Sequence, residues 1–130
     1  MLKTKSVHSP IEPGDGLRIL ATRLRGRGLP AARYDVWMAS LGPSEQLLRR
    51  VQGGKVGWPA FQREYLKELT LSDTIDRRNR LIRNHGQKFT LRLIKRLARD
   101  GNVTLLCHCA EDTQQCHRHL LRVHILSGKV

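Results

Sequence analysis

The span from Cys107 to His119 holds all three cysteines and three of the six histidines of this 130-residue chain. It reads Cys107-His108-Cys109-Ala110-Glu111-Asp112-Thr113-Gln114-Gln115-Cys116-His117-Arg118-His119. Thiols beside imidazoles and a guanidinium offer two kinds of chemistry, covalent catalysis and metal binding. For catalysis, Cys109 or Cys116 is the candidate nucleophile and His117 the leading acid or base, with His108 and His119 as further bases. A helix N-terminus lowers a thiol pKa, and the adjacent Arg118 would lower it further.

For a metal, Cys107, Cys109 and Cys116 with His117 or His119 make a Cys3His set, the pairing that zinc prefers. Against it, a C-x-C pair on a straight strand holds its thiols a full two-residue repeat apart, and C-x2-C knuckles are missing. Zinc is thus the cofactor to consider, and none is assigned. His108-Cys109 superficially resembles the phosphate-cradling loop of cysteine phosphatases, but Gln115 stands where that loop needs arginine and no glycine lies between. The structural alternative makes Cys107, in mid-strand, a small buried apolar side chain and His124 a packing histidine.

The elements around the cluster follow from apolar spacing. Residues 103 to 109 read as a strand, and Leu120, Leu121 and Val123 to Leu126 have helical spacing up to Gly128. The cluster therefore sits on a strand-to-helix turn, where α/β proteins place ligand sites. Strands are also expected in residues 2 to 8 and 17 to 22, with a fourth in the loop around 53 to 58. Tyr34, Trp37, Met38 and Leu41 are spaced for a helix over 31 to 41, and Ser44 caps a helix that ends at Gly53-Gly54. Pro59 opens a helix with Phe61, Tyr65, Leu66 and Leu69 on one face, and Ser72-Asp73 opens another carrying Ile75, Asn79 and Ile82. In the helix from 87 to 99, Phe89, Leu93 and Leu97 form an apolar stripe backed by Ile94 and Ala98. The expected fold is α/β: a single compact three-layer domain over residues 1 to 130, with a small, mainly parallel sheet flanked by helices.

Charge points to partners. The 24 Lys and Arg against 11 Asp and Glu give a net +13, which favours phosphate-rich molecules through counterion release. Residues 77 to 99 carry Arg77, Arg78, Arg80, Arg83, Lys88, Arg92, Lys95, Arg96 and Arg99 with no acidic residue, so like charges lack the i,i+4 pairing of an ordinary exposed helix. The leading reading is a nucleic-acid- or nucleotide-binding protein. In it Arg92, Lys95, Arg96 and Arg99 hold a phosphodiester backbone, while Arg18, Arg23, Arg27 and Arg118 bind a phosphate- or base-bearing group. The alternatives are an enzyme on a small anionic or nucleotide-like substrate using the Cys/His site, and an interaction protein docking on an acidic surface. No convincing recognition helix supports a helix-turn-helix regulator. No apolar run approaches the roughly 20 residues of a membrane helix, and the first residues lack the apolar core of a signal peptide. A soluble cytoplasmic protein is expected, and three clustered cysteines do not form a secreted disulfide framework.

The blocks Leu105-Leu106-Cys107-His108-Cys109 and Cys116-His117-Arg118-His119-Leu120-Leu121 resemble the C-terminal signature of the domain-of-unknown-function 488 family, in its short branch. Gly14-Asp15-Gly16-Leu17-Arg18-Ile19-Leu20 is similar to the family's opening strand, and Arg23-Leu24-Arg25-Gly26-Arg27-Gly28 to its basic loop. Asp35-Val36-Trp37, Pro43-Ser44 and Phe61-Gln62-Arg63-Glu64-Tyr65 continue in register. Arg25 and Gly26 replace the loop's tryptophan and proline, and Cys109 and Cys116 lie one residue closer than in many members. The resemblance implies a small α/β domain in which Arg18, Arg23, Arg27, Cys116, His117 and Arg118 converge at strand ends. It implies no activity, because none is established for the family.

Overall fold

The structure, a computed structural model, describes residues 1–70 and 87–130. Four strands, β1 (Leu2–Ser6), β2 (Leu17–Leu20), β3 (Val36–Trp37) and β4 (Val103–Cys107), form a wholly parallel sheet in the order β1-β4-β2-β3. The described helices are α1 (Glu45–Gln52), α2 (Trp58–Thr70), α3 (Lys88–Asp100) and α4 (His117–Leu126). The chain is an α/β domain with a small parallel sheet, as its apolar patterning implies. None of the described helices is long and apolar enough to cross a membrane.

Each strand's alternation assigns its faces. Ile19, Val103 and Leu105 project into the main core, where they meet Leu47 of α1, Phe61, Tyr65 and Leu69 of α2, Leu91 and Ile94 of α3, and Leu121 and Ile125 of α4. Leu20 and Leu106 project the other way and join Val7, Leu29 and Tyr34 in a second, smaller cluster. Among the described residues the first face is thus covered by helices and the second by loops and short 3-10 turns. Ser44 caps α1 by accepting the Leu47 amide at 3.2 Å, and α2 begins at Trp58, one residue before Pro59.

Three local readings change. Residues 31 to 41 are not a helix: they form a 3-10 turn at Ala31–Arg33, the short edge strand β3, and a second 3-10 turn at Ala39–Leu41. Hydrogen bonds to the Arg18 and Leu20 carbonyls draw Asp35 and Met38 onto the sheet, so tertiary pairing overrides the helical spacing of Tyr34, Trp37, Met38 and Leu41. The fourth strand is therefore β3, and residues 53 to 58 hold none. On α3, Leu91, Ile94 and Ala98 are the buried face, while Phe89, Leu93 and Leu97 are exposed. The helix expected after Ser72, with Ile75, Asn79, Ile82 and the arginines from Arg77 to Arg83, lies outside the described residues.

Candidate functional site

β4 and β2 are the two central strands, so the loops leaving their carboxyl ends meet over the middle of the sheet. β4 stops at Cys107 and not at residue 109. The bend after it removes the two-residue separation that a straight strand would impose on Cys107 and Cys109. Cys116 is the N-cap of α4 and returns to the strand end. As a result the three Sγ atoms lie within 4.8 Å of one another. Together they are the donor set that could hold a thiophilic metal ion. His119 is outside it, its Nε2 on the Thr113 carbonyl at 2.8 Å and its Nδ1 beside the Thr4 hydroxyl.

Arg118, in the first turn of α4, is 1% exposed and runs beneath the cluster. Its Nη1 donates to Cys107 Sγ at 2.9 Å and to the Cys109 carbonyl at 3.2 Å, and its Nη2 donates to the carbonyls of Ala110 and Glu111, both at 3.0 Å. Its Nε has no partner among the described residues, and no carboxylate there forms an ion pair with it. A buried guanidinium without an anion is costly, so it favours a thiolate at Cys107. Cys116 Sγ lies 3.1 Å from Cys107 Sγ and is the remaining donor to it. The Cys116 hydrogen bond above all, then the charge of Arg118, hold the Cys107 thiol down to about 5 against the opposing push of burial. Cys116 is pushed up because it donates that bond and is buried, and Cys109 is raised by burial and by the neighbouring Cys107 charge. The thiolate form is therefore favoured at Cys107, the sulfur on which Arg118 donates, over Cys109 and Cys116.

His117 has a defined tautomer. Its Nε2 faces the Ala21 carbonyl at 2.6 Å, an acceptor only, so Nε2 carries the hydrogen and Nδ1 keeps its lone pair, 3.9 Å from Cys116 Sγ. Burial, including the edge of the Tyr65 ring at 5.7 Å between centroids, lowers the His117 pKa and keeps the ring neutral at pH 7.

Two clefts open onto the cluster and share Pro43, Leu48, Cys109 and His117 in their walls. One, about 300 Å³, continues to Thr22, Arg23, Gln52, Cys107 and His108. The other, about 290 Å³, is walled by Val56, Trp58 and Phe61, with Gln115 and Cys116. Among the described residues neither lining contains a carboxylate, so the space suits a neutral or anionic molecule with an apolar part. Arg23 stands in the wall with its guanidinium fixed on the Gly42 and Pro43 carbonyls at 2.9 and 3.2 Å. A Cβ at Gly42 would collide with the backbone of Arg23 and Thr22. Gly42→Ala is accordingly expected to destabilise the fold by about 1–3 kcal/mol through overpacking, read as a lower urea midpoint.

The expected site residues are partly gathered. Cys109, Cys116, His117 and Arg23 meet at the clefts, and Cys107, read from the strand pattern as an inert core residue, is the electrostatic centre. Arg118 converges with them but is enclosed, so it serves the thiolate and the loop and does not face a phosphate. Arg18 is held on Asp35 at 3.0 Å and on the Ala32 carbonyl, away from the cluster. Arg27 lines a separate cleft. Arg92, Arg96 and Arg99 are exposed on α3, Arg96 beside Asp100 at 3.8 Å, while Lys95 donates to the Ser127 and Val130 carbonyls. Phe61 was legible as part of a helix face, but its spacing carried no signal that it and Trp58 would wall a cleft.

Residues 2–129 match the DUF488-N3a family, described as the active DUF488-N3 subclade. Over 70 residues the chain is 36% identical to the uncharacterized protein YeaO of Escherichia coli strain K12, a match covering 52% of this chain and 61% of YeaO. The chain thus aligns with less than two thirds of that relative's length. No solved structure matches it.

Proposed function

This chain belongs to the DUF488-N3a family, and we propose that it is an enzyme acting by thiolate chemistry on a small anionic, nucleotide-like substrate in the clefts above β2 and β4. The observation that carries this reading is the buried Cys107 sulfur, held by Arg118 at 2.9 Å and Cys116 at 3.1 Å at the floor of a cleft with no carboxylate among its described lining residues. The family's description as an active subclade agrees with it. Aromatic walls at Trp58 and Phe61 would take a base-like ring, and the net positive charge would draw an anion in.

The surrounding groups balance a hydrolytic cycle. Cys107 sulfur bonds to the electrophilic atom of the substrate, and the leaving group departs with its electron pair and takes the Cys116 proton. His117 Nδ1 then removes a proton from the water that attacks the covalent intermediate, and Cys107 leaves as the thiolate. His117 returns its proton to Cys116 across their 3.9 Å gap, which restores the resting state.

Iodoacetamide alkylation, mapped residue by residue, tests the nucleophile. An ordinary thiol reacts about tenfold faster per pH unit below its pKa of about 8.5. Cys107 is expected to react at a nearly constant rate from pH 6 to 8, because its thiolate is already formed. A tenfold rise per unit at Cys107, parallel to Cys109, would end the proposal.

The α3 surface favours a second activity, nucleic-acid binding. Arg92 and Arg99 are exposed and form no ion pair among the described residues, and Arg96 has one distant carboxylate. Duplex DNA, single-stranded DNA and RNA are to be titrated across a salt series with wild type and with Arg92, Arg96 and Arg99 changed to glutamine. Binding that falls steeply with salt and is lost in the variant supports it; affinity unchanged in the variant contradicts it.

A further inference from the structure

We propose that His8, Arg27 and His108 seat a phosphate group of the substrate, in a basic cleft that adjoins the thiols. The inference rests on the enzyme reading above and narrows the substrate to a phosphorylated compound long enough to bridge His108.

The cleft measures about 360 Å³, and among the described residues its walls contain His8, Arg27, Arg33 and His108 but no carboxylate. His108 is placed there by the loop after β2. Its Nε2 lies 3.3 Å from the Leu24 carbonyl, and its ring rests on Gly26, where a Cβ would come within 2.7 Å of a ring carbon. Gly26 also has φ +91, which disfavours other residues. With Nε2 donating to a carbonyl, Nδ1 is left as an acceptor, which a P–OH or a hydroxyl of the ligand can meet. His8 sits beside it, with ring centroids 5.9 Å apart. Arg33 is fixed on the Val7 and Ser9 carbonyls and contributes a positive charge that stays in place. Arg27 differs: it is exposed, lines the cleft and has no hydrogen bond or ion pair among the described residues. A planar guanidinium with its donors available beside two imidazoles suits the oxygens of a phosphate.

His108 connects this cleft to the reactive one. It lines both, and it lies between Cys107 and Cys109 in the chain. A molecule with its phosphate at Arg27 and His8 would therefore present its far end to Cys107. The cleft volume exceeds what phosphate alone needs and leaves room for the sugar or carbon chain that carries it.

The test uses the full chain, with inorganic phosphate and adenosine 5′-monophosphate as probes. Calorimetric titration should show phosphate binding that Arg27→Gln and His108→Gln each weaken about tenfold, the loss expected for one charge-assisted hydrogen bond. Arg63→Gln, which removes the same charge from an exposed position on α2, should leave it unchanged. Adenosine 5′-monophosphate should slow Cys107 alkylation about tenfold at saturation, whereas phosphate alone should not, because only the longer molecule reaches the thiols. Phosphate affinity indifferent to Arg27→Gln overturns the seat, and so does adenosine 5′-monophosphate that binds without protecting Cys107. Displacement of phosphate by duplex DNA but not by adenosine 5′-monophosphate overturns the small-molecule assignment. An ordinary alkylation profile at Cys107 with phosphate binding still lost in Arg27→Gln removes the enzyme reading and leaves the seat.

Discussion

Arg118→Met should be the most damaging single substitution in the described structure, lowering stability by about 3–5 kcal/mol, as removal of one member of a buried charged pair does. Arg118 makes four hydrogen bonds from a site 1% exposed, one to Cys107 sulfur and three to the carbonyls of Cys109, Ala110 and Glu111. Methionine fills similar space but leaves those carbonyls unpaired and removes the cation that favours the thiolate. The Cys107 pKa should therefore rise, and its alkylation at pH 6 should slow. Arg118→Lys separates charge from geometry: one ammonium cannot span the same acceptors, so stability should fall while the thiolate is partly retained. Urea unfolding and the alkylation profile of both variants check this. A variant as stable as wild type would show that the buried guanidinium is not what holds the loop.

The second large effect is a pH dependence of stability that belongs to Cys107. The folded thiol ionises near 5 and the unfolded one near its ordinary value of 9.0. Between those limits the unfolded chain binds more protons, so the Cys107 contribution grows as pH rises and disappears as pH falls through about 5. The lowered His117 pKa acts in the same direction below 6.5. Above pH 9 the raised pKa values of Cys109 and Cys116 act oppositely, since those thiols must stay protonated in the fold. The stability of wild type relative to Cys107→Ser should thus increase from pH 5.5 to 8.5, by an amount on the order of 1–3 kcal/mol. Packing changes in the variant shift the whole curve, so the slope is the quantity to read. Parallel curves for the two proteins would mean that Cys107 is an ordinary buried thiol.

Much of the scaffold was legible because its elements are ordinary. β1, β2 and β4 are short apolar segments, α1 has a serine cap and a glycine stop, and α3 and α4 carry helical spacing. β3 was not legible, since it has two residues, both exposed, inside a stretch whose aromatic and apolar spacing imitates a helix. The buried face of α3 is set by Leu91 packing toward α2 and the sheet, which gave Phe89, Leu93 and Leu97 the outer side despite their regular spacing.

The candidate site divides in the same way. Residue types alone pointed to Cys109, Cys116 and His117. The central role of Cys107 depends on three distant events: β4 ending early, Cys116 returning at the head of α4, and Arg118 turning inward. None of these leaves a periodic trace. The Ala21 carbonyl that fixes the His117 tautomer is a backbone group, so no residue preference marks it. Arg18 could not be separated from Arg23 by type; its partner Asp35 comes with β3, the element that spacing had hidden.

A single thiolate, on Cys107, should already be present at neutral pH. Ultraviolet thiolate absorbance across a pH titration of the reduced protein and of Cys107→Ser measures it without relying on reagent access. Wild type should show one thiolate's absorbance at pH 7, lost with a midpoint near 5 and missing from the variant. Three thiols that ionise together above pH 8, identically in both proteins apart from their number, would contradict it.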